Sequence, residues 1–309
     1  MKFTIHQSSR RGGRRYNQDR LAYSYSKNAL LMVVADGMGG YSHGDMAAQL
    51  AVKTLTAAFQ QMAIPNLQDP DQFLRMQIQK IHEAIHHLAK QKSLEEIPKT
   101  TIVAGIVQDD ILYCAHVGDS RLYHIRQRQL LYRTEDHSII QMMLKQGLVQ
   151  PEEIARHPDR NKIYNCLGGE TPPTIEISKT RALRQGDIVL LCSDGLWGYL
   201  SDERILDILN NGMGINVNIP SLIDVAERLG GDNSDNISAA GMQWGNALED
   251  ALTISTLHMP LENANTIMSP LTAQDVDNHD HAHQIADLTD DDIDRAIAEI
   301  QVAINRSKR

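Results

Sequence analysis

Cysteine is scarce. The 309 residues contain three (Cys114, Cys166 and Cys192). Their spacing shows no pairing, which argues against a disulfide framework and fits a reducing compartment. Cys114 and Cys192 lie in strand-like apolar runs, where cysteine behaves as a small hydrophobe. Long apolar runs are missing: none nears the ~18 residues of a membrane-spanning helix. The opening Met-Lys-Phe-Thr-Ile-His-Gln lacks the apolar stretch of a signal peptide. A soluble, cytoplasmic protein is expected. A basic face is missing as well. The formal net charge is −9, and residues 275–294 hold eight Asp with no Lys or Arg. The rest is close to neutral, unlike a nucleic-acid binder.

Nucleotide-binding loops are also lacking. Asp36-Gly37-Met38-Gly39-Gly40 misses the last glycine of Gly-x-Gly-x-x-Gly, because Ser42 stands there. No Gly-Lys-Ser/Thr follows to make a P-loop. Asp232-Asn-Ser-Asp-Asn236 resembles a calcium loop only at first sight. Ile237 and Gln243 occupy the places where that loop needs Gly and Glu.

Four short aspartate motifs remain: Asp36-Gly37-Met-Gly-Gly40, Gly118-Asp119-Ser-Arg121, Ser193-Asp194-Gly195 and Ser234-Asp235-Asn236. Apolar runs before the first and third (30–35 and 188–192) read as strands that end at an acid. Acids at successive strand ends suggest one site assembled from distant sequence. Converging carboxylates repel, so the cluster calls for a cation. Many Asp with few Cys or His favours a hard ion such as Mg²⁺ or Mn²⁺. Each motif taken singly also fits a plain turn.

The periodicity places strands in 1–35, helices over 43–62 and 71–92, strands over 101–133, and helix over 137–157 with breaks at Gly147 and Pro151. A polar loop follows to 174, then strands at 174–178 and 188–192, helices at 202–209 and 221–229, and a strand at 237–244. Strand groups alternate with helix pairs, which predicts an α+β layered body with largely antiparallel sheets. Residues 245–288 read as a polar, acidic linker containing His279, His281 and His283. Residues 289–309 read as a C-terminal amphipathic helix, with Thr289 as N-cap and a stripe of Ile293, Ala296, Ile297, Ile300 and Ile304.

Taken together, seven motifs in order resemble the metal-dependent Ser/Thr protein phosphatases (the PPM, or protein phosphatase type 2C, family), in particular the bacterial branch. Arg14-Arg-Tyr-Asn-Gln-Asp19, Asp36-Gly-Met-Gly-Gly40, Thr100-Thr101, Gly118-Asp119-Ser-Arg121, Thr134-Glu-Asp-His-Ser138, Ser193-Asp-Gly-Leu196 and Asp235-Asn-Ile-Ser238 carry the likeness. It spans residues 2–244. It implies a four-layer α-β-β-α sandwich with two antiparallel sheets flanked by helix pairs. It also implies a phosphoprotein Ser/Thr phosphatase with two Mn²⁺ or Mg²⁺ ions, a third weaker ion, and a bridging hydroxide. By position, Asp36 would bridge the ions, Gly37 would lend its carbonyl, Asp194 and Asp235 would ligate one ion, and Asp119 would serve the third. Asp19 would order ligand waters, and Arg14 would bind the substrate phosphate. Residues 139–173 correspond to the flap of bacterial relatives.

Three departures stand out. Lys99 replaces a usual Gly, Tyr41 replaces a common His, and Met38 stands where eukaryotic members carry His. A non-catalytic scaffold on the same fold is the alternative, although such members normally lose a metal carboxylate. The expected partner beyond substrate is a Ser/Thr kinase or secretion-associated complex, met through the C-terminal helix. That helix could equally pack on its own body.

Overall fold

Alternation with period two sorts each central strand onto two faces, and both faces here are apolar. Along the third strand, Leu31, Val33 and Ala35 belong to one buried cluster and Leu30, Met32 and Val34 to another. A strand apolar on both faces must lie between two layers. The computed structural model describes residues 1–39, 43–150, 153, 157–245, 253–261 and 264–268.

The first half runs β1 (Lys2–Arg10), β2 (Asp19–Tyr25), β3 (Ala29–Met38), α1 (Gly44–Met62), α2 (Pro70–Gln91), β4 (Lys99–Thr100), β5 (Ile102–Gln108), β6 (Ile111–Val117), β7 (Arg121–Arg126) and β8 (Gln129–Arg133). Then come α3 (Ile139–Lys145), β9 (Glu176–Ile177), β10 (Arg181–Ala182), β11 (Ile188–Cys192), α4 (Asp194–Trp197), α5 (Asp202–Leu209), α6 (Ile215–Gly230), β12 (Ile237–Trp244), β13 (Thr253–Ser255) and β14 (Asn265–Met268). One sheet has the order β13-β1-β12-β11-β7-β8, the other β10-β6-β5-β3-β2-β14. All named strand pairs are antiparallel.

Three apolar seams glue four layers. Leu50, Leu55, Phe59, Leu74 and Ile81 of α1 and α2 pack on one sheet. Phe3, Leu21, Val103, Leu122 and Leu191 lie between the sheets. Ile205, Ile219, Leu222 and Ile223 of α5 and α6 cover the other sheet. The α-β-β-α expectation holds.

Several boundaries differ from expectation. Strand β3 does not stop at Ala35. It runs through Asp36 to Met38, because β4 supplies a ladder partner for Gly37 and Met38. Among the described residues, the α-helix expected over 137–157 is α3; residues 151, 152 and 154–156 lie outside them. Ser138 caps its start, and Gly147, at φ +70°, follows its end. Helix α6 starts at Ile215, before Pro220 rather than after it. Burial of Ile215 and Ile219 against the sheet outweighs the backbone bond that proline forfeits.

Within the stretch expected as linker, β13 and β14 instead add an edge strand to each sheet, pairing with β1 and β2. The expected helix at 289–309 and the histidines 279, 281 and 283 lie outside the described residues. All three cysteines are free, as expected. Among the described residues, no helix is long and apolar enough to cross a membrane.

Candidate metal centre

The acids converge at one end of the paired sheets. In the β2–β3 pairing, Asp19 stands opposite Asp36. The Ser193 hydroxyl, just after β11 in the other sheet, donates to Asp19 Oδ2 at 2.7 Å. The same hydroxyl accepts the Ser238 N–H of β12 at 3.0 Å. This chain of bonds ties the two sheets together at the site.

Asp36 is held by its backbone. Its N–H donates to Thr101 Oγ1 at 3.1 Å. Its carbonyl accepts from the Thr101 N–H at 2.9 Å and from Thr100 Oγ1 at 2.8 Å. The paired threonines therefore use up the main-chain polar groups of Asp36 and fix where its side chain starts. Thr101 Oγ1 also lies 2.7 Å from Ser120 Oγ, beside Asp119.

Two close backbone approaches explain the glycines. A Cβ on Gly37 would lie 2.3 Å from the Gly44 carbonyl oxygen, so the start of α1 presses on β3 only where both residues lack side chains. A Cβ on Gly195 would lie 2.0 Å from the Asn236 carbonyl oxygen. That contact brings Asp194, at the first turn of α4, next to the loop that carries Asp235. The Asn236 amide completes the join: its Oδ1 accepts the Gln18 N–H at 2.8 Å, and its Nδ2 donates to the carbonyls of Arg11 and Tyr16 at 2.8 and 2.9 Å. The loop bearing Arg14 is thereby strapped to the Asp235 motif. Arg14 itself reaches Asp235 Oδ2 at 2.6 Å, with 60% of its side chain exposed.

Asp119 sits between β6 and β7. Trp197 of α4 donates its indole N–H to the Asp119 carbonyl at 3.0 Å. The Arg121 guanidinium lies 3.6 Å from the Trp197 ring centroid and makes a bidentate pair with Asp136 at 2.8 and 2.7 Å.

The electrostatics match the crowding. Burial, then Asp19, Asp194, Asp119 and Asp235, push the Asp36 carboxyl well above its usual range. Burial raises Asp194 likewise, followed by Asp119, Asp235 and Asp19, while a hydrogen bond with Asp36 offsets part of the rise. Asp119 is pushed up to about 7, chiefly by burial and then by Asp136. Asp19 is raised to about 6, again chiefly by burial. Arg14 moves further up, chiefly through its bond to Asp235 and with help from Asp194 and Asp36.

The structure thus brings Asp19, Asp36, Asp119, Asp194, Asp235 and Arg14 into one electrostatic neighbourhood, with Gly37 adjoining Asp36. Ser193, Asn236, Trp197 and Arg121 carry positioning work that sequence reading missed. Their signal was slight: Ser193, Asn236 and Arg121 stand inside the aspartate motifs and Trp197 follows one, but nothing in the sequence marks their bonds.

The donor set fits a hard divalent cation. It is all oxygen, carboxylates with the Gly37 carbonyl, and Asp19 Oδ1 and Asp194 Oδ1 are buried without a hydrogen-bond partner. A buried charged oxygen without a partner is costly, and a cation offsets that cost. Two buried and three half-buried acids at the end of a two-sheet sandwich, with a guanidinium on the rim, fit a metal-dependent hydrolase of the α-β-β-α class.

Known proteins narrow the class. The profile of the family described as protein phosphatase 2C matches residues 7–215. The serine/threonine phosphatase stp of Listeria welshimeri is 31% identical over 227 residues, covering 73% of this chain and 89% of that protein. The solved serine/threonine phosphatase of S. agalactiae is 30% identical with a TM-score of 0.71, covering 78% of this chain and 99% of that one. The catalytic domain of the serine/threonine protein phosphatase PstP, solved in complex with 2 manganese ions, is 30% identical with a TM-score of 0.65, covering 78% and 98%. The chain belongs to the protein phosphatase 2C family, and is a metal-dependent protein serine/threonine phosphatase.

Proposed function

We propose that this chain hydrolyses phosphoserine and phosphothreonine on proteins at the Asp36–Asp194–Asp235 cluster, opposing a bacterial Ser/Thr kinase. The convergence of half-buried Asp36, Asp194 and Asp235 beside buried Asp19 and Asp119 supports this reading. Asp36, the Gly37 carbonyl, Asp194 and Asp235 would hold two divalent ions, Mn²⁺ or Mg²⁺. Asp119 would serve a third. When bound, such ions supply a nucleophile by lowering the pKa of water and offset charge on phosphoryl oxygens.

The chain's own residues do the rest. Arg14 stands on the open rim, where its fork suits a phosphate. Its bond to Asp235 holds it beside the acid cluster, where it also feels Asp194 and Asp36. Asp19 is held by Ser193 through Oδ2, its Oδ1 has no hydrogen-bond partner, and it would order solvent around the ligands. The Thr100–Thr101 pair keeps Asp36 from shifting as charge moves. Preorganised groups of this kind lower the barrier because they need no rearrangement during reaction.

The test is Mn²⁺-dependent hydrolysis of a phosphothreonine peptide. Turnover is expected to vanish in EDTA and in Asp36→Asn. Activity that survives both overturns the mechanism.

For residues 289–309, outside the described part, the proposal is a tether to a kinase or secretion-associated complex. Deleting 275–309 should spare turnover of a small phosphate ester and weaken co-purification with a partner kinase. Unchanged co-purification rejects the tether.

A further inference from the structure

Next to the acids lies a cluster with the ligand types of a transition-metal site. His116, His137 and Glu176 each offer an atom within 4.8 Å of the others. Hydrogen bonding argues for another role. Asn165 is fixed by Thr174: its Oδ1 accepts the Thr174 N–H at 3.1 Å, and its Nδ2 donates to the Thr174 carbonyl at 2.8 Å. Nδ2 is therefore the atom that meets His137 Nδ1 at 2.7 Å. The Gly118 N–H donates to the same Nδ1 at 3.1 Å. A ring nitrogen that receives two donors carries no proton, so the proton of the neutral ring sits on Nε2. Nε2 faces Glu176 Oε2 at 3.3 Å. A metal at Nε2 would have to strip that last proton, whereas a ligating histidine normally donates through its other nitrogen. The ring is a hydrogen-bond hub.

We propose that His137 is a positioning residue that couples the flap to Asp119; the inference rests on reading Asp119 as a cation ligand. On one side His137 clasps Gly118 twice, because its N–H also donates to the Gly118 carbonyl at 3.0 Å. Gly118 has no slack: it sits at φ +103°, and a Cβ there would lie 2.6 Å from the Thr101 side chain. Asp119 is the next residue. On the other side, the His137 carbonyl accepts the Tyr164 N–H at 3.0 Å, and Nδ1 takes the Asn165 amide. The ring stacks on His116 at 4.6 Å between centroids. His137, His116 and Asn165 are all buried. A displacement of residues 164–165 therefore reaches the Asp119 backbone at His137 by two routes, the main chain from Tyr164 to the Gly118 carbonyl and the imidazole from Asn165 to the Gly118 N–H, and substitution of the ring cuts the second. Trp197 holds the same backbone from α4 and does not depend on the flap.

The experiment compares the full-length chain with His137→Leu, His137→Asn, Asn165→Ala and Asp119→Asn. Three readouts are used: Mn²⁺ binding by calorimetry, kcat and KM on a phosphothreonine peptide, and tryptic cleavage at Arg160 and Lys162. His137→Leu should weaken the weakest Mn²⁺ step about tenfold, as loss of a partner behind a ligand does, and should speed cleavage. His137→Asn places an acceptor oxygen near the Nδ1 position and should restore Mn²⁺ binding to within about threefold. Native Mn²⁺ binding in His137→Leu, or equal damage in His137→Asn, overturns the coupling. Should His137→Leu fail to melt cooperatively, Asn165→Ala decides: faster cleavage with weaker Mn²⁺ binding supports the coupling, and any other result overturns it. Asp119→Asn separates the two claims. If it leaves every Mn²⁺ step unchanged, the ligand reading of Asp119 fails, whatever His137 does.

Discussion

Replacing Asp119 by Asn should stabilise the protein in EDTA at pH 8, the reverse of what loss of a buried hydrogen-bonding side chain normally does. Burial and Asp136 lift the Asp119 carboxyl from 3.8 to about 7. The folded chain therefore binds this proton more tightly than the unfolded chain. The cost of ionising Asp119 in the fold appears as pH rises through about 4 to 7 and is complete above that. At 1.36 kcal/mol per pH unit, the full cost is about 4 kcal/mol at pH 8. Near pH 4 it falls to about 0.6 kcal/mol. Asn keeps the size and removes the charge, and the Trp197 bond is untouched because it uses the Asp119 backbone carbonyl. Neighbouring acids share the strain, so we expect a gain of about 2–4 kcal/mol at pH 8 that vanishes near pH 4. Urea unfolding in EDTA at both pH values reads it. Saturating Mn²⁺ should reverse the order and make the native chain the more stable. A variant less stable than native at pH 8 in EDTA, or a difference independent of pH, refutes the reasoning.

Further substitutions probe other parts of the site. Arg14→Ala should lower kcat/KM about 10- to 100-fold while leaving the Mn²⁺ isotherm in place; lost Mn²⁺ binding would mean that Arg14 organises the acids instead. Its thermal stability should hardly move, because the Arg14–Asp235 pair is largely exposed. Gly195→Ala drives a methyl to within 2.0 Å of the Asn236 carbonyl oxygen. It should cost about 1–3 kcal/mol and loosen Mn²⁺, since Asp194 and Asp235 are pushed apart; a stable variant with native Mn²⁺ affinity would show that this approach is not what unites them. Asp19 is raised to about 6, so Asp19→Asn should also gain stability at pH 8 in EDTA and none near pH 4, read by the same urea titration.

The strands and the acids were legible because both leave local marks. Central strands such as β3 and β11 carry uninterrupted apolar runs (30–35 and 188–192); Asp36 directly follows the first run, and Asp194 comes one residue after the second. Helices α1 and α2 show their stripes plainly. Other features are not local. Strand β3 continues past Asp36 only because Lys99 and Thr100, more than sixty residues later, supply a ladder. Helix α6 tolerates Pro220 because the sheet surface rewards burial of residues on both sides of it. Strands β13 and β14 are three and four residues long, too short for an alternation to register, and only the open sheet edges make them strands. The site's supports follow the same rule. Gly195 reads as a turn glycine until Asn236 is seen against it, and His137 reads as a polar neighbour until Gly118, Tyr164 and Asn165 close around it.

The central claim is that Asp36, Asp194 and Asp235 gather a pair of divalent ions beside Arg14. A crystal soaked in Mn²⁺ tests it most directly, with anomalous scattering recorded at the manganese edge. Two peaks should lie among these three side chains, each within about 2.5 Å of a carboxylate oxygen. Peaks found elsewhere, in protein that hydrolyses a phosphothreonine peptide under the same conditions, would contradict the account.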